Sequence, residues 1–554
     1  MTIGAFGIPE LVRSRFSGGS SDSRPVRNTA LGLLASAFVL LIVPTFLGSS
    51  AATPPLGART FWPPYDLGLT PAPGLVVVLL ATGFVLAALG LWQALRAIRL
   101  GWAPRVDRVL KASTLMTLAL VLVPPFGSAD HLSYAAYGRI SDLGADPYVV
   151  APNTWPTSDA VIAAVEAPWE GTPSVYGPIA TALFQLLAAL GAGELRMTVW
   201  LWQAVVGVAF LATGALLYRL AGQDETRRAR VAVLWLLNPA LLAILVGGAH
   251  LDVLAVAAGV AGMALLILPR RGALLVRVPL WVLAGAAFGL AAGTKLPYLA
   301  VAAAAWWAIH RRPPAELAVA TTSALVGGLA VLLPAHVWAG PHAYDQTQKA
   351  SHFVSIASPW RTVISLLEAL FGQAARNALP LLFAALAVLV ILAARRIWQP
   401  VAYSRVGTDV EVRSAARALL VLSLAYPLAA PYVLPWYDAP VWIALVLADV
   451  PLLLEGLLVA RLAVMAISYV PGRADVPSSL ATEVMLGVRH VAAPVLVCWL
   501  LGWLFASAWR SVRSEGLRIS RLRTRTNASA STVSPRTTMA VLPIQPGVPH
   551  SHDH

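Results

Sequence analysis

The first place in this chain where chemistry could sit is an aspartate directly after an apolar run. Asp130 follows residues 115–126 and opens the segment SADHLSYAAYGRISDLGADPY, residues 128–148. A carboxylate beside hydrocarbon is costly to hold and is retained mainly where it has a task. As a general base it could take the proton of an incoming hydroxyl. As the N-cap of a helix starting at His131 it would act only locally, since Asp is a favoured cap. Position alone leaves both readings open. On a helix, Asp130, Tyr134 and Tyr137 share one face, which aims an acid and two phenols the same way, with Arg139 close behind. Rings that stack on apolar sugar faces, beside carboxylates that accept hydroxyl hydrogens, suit a carbohydrate. The same tyrosines could equally anchor an interfacial helix in an aromatic belt.

Four further places carry reactive side chains. His250 and Asp252 stand in GGAHLD, residues 247–252, between two apolar runs. They read as a polar pair or a local helix cap, and a metal site lacks further close ligands. Lys295 lies between apolar residues 280–292 and 296–305, in a chain whose only other lysines are Lys111 and Lys349. An ammonium there suits a phosphate at headgroup depth, or it snorkels to the interface. The segment 339–376 holds His342, Asp345, Lys349, His352, Trp360 and Arg361, either as a cover with phosphate contacts or as a solvated loop with one amphipathic helix. In PWYD, residues 435–438, Trp436 and Tyr437 either stack on a sugar or anchor the chain at the interface. No Walker-type or glycine-rich phosphate loop is present, so nucleotide-driven transport is not suggested. His550, His552 and His554 read as tail residues.

The elements that must position these groups are membrane helices. Of 554 residues, 58% are hydrophobic and 12% charged, with a mean hydropathy of +0.72, which places the chain among all-α polytopic membrane proteins. The net charge of +14 could suggest nucleic acid. The arginines, however, come in short blocks between apolar runs, as in cytoplasmic loops, and argue against it. The single cysteine, Cys498, excludes a disulfide framework and a cysteine-based metal site. Fourteen apolar runs, within about two, fall near 29–49, 74–95, 109–126, 197–218, 231–247, 251–268, 278–293, 297–310, 316–338, 377–394, 414–433, 436–450, 452–470 and 489–509. The positive-inside rule puts the N-terminus and the blocks at 96–111, 219–230, 270–277, 311–312 and 395–396 in the cytoplasm. Residues 177–191 break this alternation and read as a helix lying on or dipping into the outer face.

The expected organisation is a cytoplasmic segment 1–28, whose following apolar run reads as a retained anchor, and a transmembrane domain 29–509. Its outer loops are 127–196 and 339–376, and a basic, then disordered cytoplasmic tail spans 510–554. The polar elements collect on the extracytoplasmic face of a cell membrane. The Arg and Ala bias hints at an actinobacterial source.

Five pieces then stand in order: ADHLSYAAYGRISDLGADPY, WEGTPSVYGP at 169–178, LNPALLAILVGGAHLD at 237–252, TKLPYL at 294–299 and LPWYDAPVW at 434–442. Over residues 105–445 the chain resembles the polyprenyl-phosphate-mannose-dependent α-1,6-mannosyltransferases of actinobacterial lipomannan and lipoglycan synthesis, within the GT-C membrane glycosyltransferases. Two positions depart from the family pattern. Leu132 stands where an aromatic is usual, and Leu251 separates His250 from Asp252.

The resemblance implies a GT-C-type fold of about 12–14 spans and a catalytic acid in the first large outer loop, at Asp130. It implies transfer of mannose from a polyprenyl-phosphate donor to a lipid-linked glycan acceptor, with inversion. Lys295, Arg361 and His250 would meet the donor phosphate. Tyr134, Tyr137, Arg139, Asp146, Tyr148, Tyr176, Asp252, Trp436 and Tyr437 would shape the sugar and acceptor pocket. A monophosphate leaving group makes no obligatory metal the expectation, with divalent dependence left open. The alternatives are a flippase or transporter of lipid-linked sugars, which needs no base, and a transferase for arabinose or glucose from an analogous carrier.

Overall fold

The computed structural model describes residues 23–268, 274–350, 352–397, 407–473 and 479–530. Among them all regular structure is helical. In hydrocarbon every backbone N–H and C=O must bond within its own segment, and a helix achieves that. The N-terminal hairpin is α1 (Ser23–Leu47) and α2 (Pro73–Arg99), followed by α3 (Val106–Val121). After the first candidate motif, α4 (Asp130–Asp142), come α5 (Pro178–Leu190), α6 (Leu195–Ala221), α7 (Glu225–Val231) and α8 (Pro239–Leu242). The middle of the chain forms α9 (Asp252–Ile267), α10 (Leu274–Thr294), α11 (Leu299–Ile309) and α12 (Pro314–Ala339). The rest is α13 (Asp345–Ala350), α14 (Trp360–Phe371), α15 (Gln373–Ile397), α16 (Thr408–Ala429), α17 (Ala439–Leu447), α18 (Leu452–Tyr469), α19 (Ser479–Gly487) and α20 (Ala493–Ala530).

Among the described residues, nine helices are long and apolar enough to cross a bilayer, and a tenth span results if the bent pair Glu225–Leu236 and Pro239–Gly247 counts as one. The chain is a multi-pass membrane protein. Four of the fourteen apolar runs instead form shorter helices, α3, α9, α11 and α17. Composition does not separate a lipid-facing span from a short helix buried inside the bundle, and α17 is of the second kind, with Val441–Leu447 all buried. Helix α5 has 13 residues, about 20 Å of rise, short of the ~30 Å hydrocarbon layer.

Close helix crossings use small residues. A methyl on Gly285 of α10 would overlap the Ala324 carbonyl of α12, and one on Gly327 would overlap the Val282 carbonyl. At the end of the bundle rich in arginine, buried ion pairs tie distant segments together. Glu455 of α18 is fully buried and bonded by both Arg99 and Arg230. Arg312 grips Glu411 of α16 through two bonds of 2.9 and 2.8 Å. Arg99, Arg230 and Arg312, each from a different arginine block, are therefore internal framework. Helix α20 continues through the basic block after Trp509 as far as Ala530. Residues 1–22 and 531–554, with His550, His552 and His554, lie outside the described residues.

Candidate active site

The site is assembled by turns that interrupt the helices. Asn238 caps α8 by accepting from Leu241 N at 3.1 Å and donates from Nδ2 to Leu234 O at 3.1 Å. Pro239 lacks the N–H that would continue the preceding helix, and the pair bends by 44° there. The bend aims the GGAHLD turn at the loop before α4, where Phe126 N donates to Gly247 O at 2.9 Å. Within the turn Ala249 has φ of 53°, a left-handed conformation that costs a residue with a Cβ about 1–2 kcal/mol. Its carbonyl accepts from Trp202 Nε1 at 2.6 Å, a bond that holds the strained geometry.

Asp130 is the first residue of α4 and makes no capping bond; Ser128 Oγ accepts its backbone N–H at 3.2 Å. The cap reading is thereby set aside and the carboxylate is left for another role. Its Oδ2 stands 3.5 Å from His250 Nδ1 and its side chain is 22% exposed. The other face of the histidine is covered by Trp436, stacked at 3.5 Å between ring centroids and 15° between planes.

Beside them lies a second acid in a different state. Asp252 begins α9 with its side chain 1% exposed. Its Oδ1 accepts from Lys295 Nζ at 2.8 Å and from Tyr298 OH at 2.9 Å, while its buried Oδ2 has no partner among the described residues. Lys295 sits in the extended residue between α10 and α11, and its ammonium lies 3.6 Å from the centre of the Tyr437 ring. Burial pushes that ammonium down from its usual range, and the neighbouring Asp252 carboxylate opposes the shift. Asp130 is thus the accessible acid of the cluster, and Asp252 the sequestered one.

The tyrosines of α4 form a wall. Tyr134 stacks on Phe184 at 4.9 Å and meets Tyr176 edge-on at 5.0 Å and Trp202 at 5.3 Å. Tyr137 donates to Thr172 O at 2.7 Å, and burial raises its phenol well above the ordinary value. His131, next to Asp130, is fully enclosed, and that burial drives its imidazole down to about 3 against the opposing pull of Asp130. It is neutral at any physiological pH. The cavities against this cluster are small, about 30 Å³ beside His250 and Trp436 and about 60 Å³ beside Lys295 and Tyr298. A hexose needs these walls to part.

Other residues singled out by the sequence hold the loop between α4 and α5. Arg139 pairs with Asp159 at 2.9 Å and Asp142 at 3.0 Å. Asp146 accepts from Tyr148 N at 2.8 Å, and Tyr148 donates to Thr181 Oγ1 at 2.9 Å. Arg361 is exposed on α14, and no contact among the described residues joins its side chain to Asp130 or Lys295. Three participants escaped the sequence reading: Tyr298, Arg473 and Arg461. Arg473 binds Glu166 through bonds of 2.9 and 2.5 Å, and buried Arg461 fixes Asp438 of PWYD at 2.8 and 3.2 Å. Tyr298 stood inside TKLPYL and could have been paired with Lys295 by its helical offset. Nothing local flags the two arginines. Among the described residues no three His, Cys, Asp or Glu side chains gather as metal ligands would.

The chain is 35% identical over 189 residues to a probable alpha-(1->6)-mannopyranosyltransferase of Mycolicibacterium smegmatis, covering 33% of each chain. It is 31% identical over 231 residues to alpha-(1->6)-mannopyranosyltransferase A of Mycobacterium tuberculosis, covering 39% of this chain and 43% of that one. The matches therefore span well under half the length of these relatives. No solved structure matches the chain. Residues 29–311, just over half of the sequence and containing Asp130, His250, Asp252 and Lys295, match the family described as the N-terminal domain of alpha-(1->6)-mannopyranosyltransferases, and the chain belongs to that family.

Proposed function

We propose that the protein is a membrane mannosyltransferase that moves mannose from a polyprenyl-phosphate carrier onto a lipid-linked glycan, extending an α-1,6 mannan on the extracytoplasmic side of the cell membrane. The observation that carries the reading is the contrast between the two acids. Asp252 is locked by Lys295 and Tyr298, whereas Asp130 keeps an accessible carboxylate oxygen with His250 beside it. A general base needs that access to the proton it takes.

In the proposed reaction the acceptor hydroxyl gives its proton to Asp130 as its oxygen bonds to C1 of the mannosyl group. The bond from C1 to the phosphate oxygen breaks, and polyprenyl phosphate leaves with the electron pair. A single displacement inverts C1. His250, in reach of Asp130 and held by Trp436, orients the carboxylate. Lys295 meets the charge growing on the phosphate, sharing its ammonium between Asp252 and the ligand. Tyr134, Tyr137 and Tyr176 border the sugar. A lipid-linked donor suits a site at the end of a helical bundle, where its tail stays in hydrocarbon and its phosphate at the interface.

The test is Asp130→Asn in detergent-purified full chain supplied with polyprenyl-phosphate mannose and a mannan-lipid acceptor. The expected loss of transfer is about 10²–10⁴-fold with unchanged thermal unfolding. Transfer at the wild-type rate removes Asp130 from the mechanism. With the wild-type chain reconstituted in proteoliposomes, donor moved across the bilayer with no new glycosidic bond identifies a transporter instead.

A further inference from the structure

A second, larger cavity lies at the other end of the bundle. Helix α11 starts beside Lys295 and ends at His310, so its far end is roughly 15–20 Å from the candidate active site. There α11, α15 and α16 enclose about 510 Å³, within the ~300–1,000 Å³ typical of small-molecule pockets. One wall is apolar and aromatic, with Trp306, Trp307, Ile391 and Leu422. Both tryptophans are also about half exposed, as rings at a membrane–water interface are. The other wall is cationic, with Arg311, Arg395 and Arg417. The one carboxylate on the lining, Glu411, is gripped by Arg312 from outside the cavity. Neither wall is used by the reaction above.

We propose that this cavity binds the headgroup of an anionic phospholipid from the surrounding bilayer. The occupant must be negative at one end and apolar at the other. Guanidinium forks match phosphate oxygens, and a free phosphate ion would leave the Trp306–Ile391 wall facing nothing apolar. The walls belong to helices α15 and α16, which are spans, and to α11 beside them, so the lipid leaflet itself is the adjoining solvent. Basic pockets between membrane helices recognise anionic headgroups in this way. The proposal does not depend on the identity of the sugar reaction.

Delipidated full chain would be titrated with phosphatidylglycerol and with phosphatidylcholine of the same acyl chains, bound lipid being counted by native mass spectrometry. Phosphatidylglycerol is expected to bind at least tenfold tighter. The double change Arg311→Ala and Arg395→Ala should weaken it by about thirtyfold, roughly fivefold per guanidinium. In the wild-type chain, a phosphatidylglycerol carrying a photoreactive group near its head should crosslink to peptides of α11, α15 or α16, a readout that survives if the variant does not fold. Equal binding of both lipids, an unchanged variant, or crosslinks confined to other helices overturn the proposal. So does inorganic phosphate that displaces the lipid at its own equal affinity, which would define a free-phosphate site.

Discussion

Lys295 takes on a duty beyond the phosphate contact and the snorkelling that its place in the sequence offers. Its ammonium, given to the lipid phosphate in the proposed reaction, neutralises Asp252, whose side chain has no water to turn to. Removing one partner of a buried pair strands the other charge at about 3–5 kcal/mol, while replacing both is far milder. Lys295→Met is therefore expected to lower the unfolding temperature sharply in detergent, and Lys295→Met with Asp252→Asn to recover most of it. A single variant as stable as wild type would show that the pair does not hold the turn. Donor KM measured on the stabilised double variant then reports the phosphate contact alone; an unchanged KM removes Lys295 from donor binding. At this scale the sequence made the types of the reactive residues legible. It could not show that one face of the Trp436 ring and one of the Tyr437 ring are already covered, by His250 and Lys295.

Among the elements, the packing of α4 on α5 decides where Asp130 points. Gly138 lies against the Phe184 carbonyl, so any side chain there must push α5 away, and Phe184 is the ring on which Tyr134 stacks. Gly138→Val is expected to destabilise the protein by about 1–3 kcal/mol and to reduce transfer at least tenfold. Gly32→Ala is the control. That position is helical with open space around it, and alanine there should be neutral or stabilising by up to ~1 kcal/mol. Equal behaviour of the two variants, read by thermal unfolding and initial rate, would separate the tyrosine wall from function. Helix α4 was foreseeable from its spacing, and the short α5 from the break it made in the alternation of basic blocks. The left-handed Ala249 was not, because its carbonyl is held by Trp202 of α6, 47 residues away in the chain.

For the whole molecule, the charge pattern sets an orientation that can be read directly. With Cys498→Ser as background, Val149→Cys in the outer loop should react with a membrane-impermeant maleimide on intact cells, and Ser514→Cys near the end of the last span should react only after permeabilisation. The opposite pattern would put Asp130 in the cytoplasm and end the proposed reaction. Hydropathy alone determined that the chain is a helical membrane protein, and ordered motifs alone drew five polar turns to attention, because burial of apolar length and charge bias are properties of local composition. Which of those turns touch was decided only by the tertiary structure. Asp130 meets His250 across 120 residues of chain, and Lys295 meets Asp252 across 43. The same holds for the arginines. Arg99 and Glu455 bond across 356 residues, since a charge buried in a helical bundle must find its partner in space, wherever the sequence has put it.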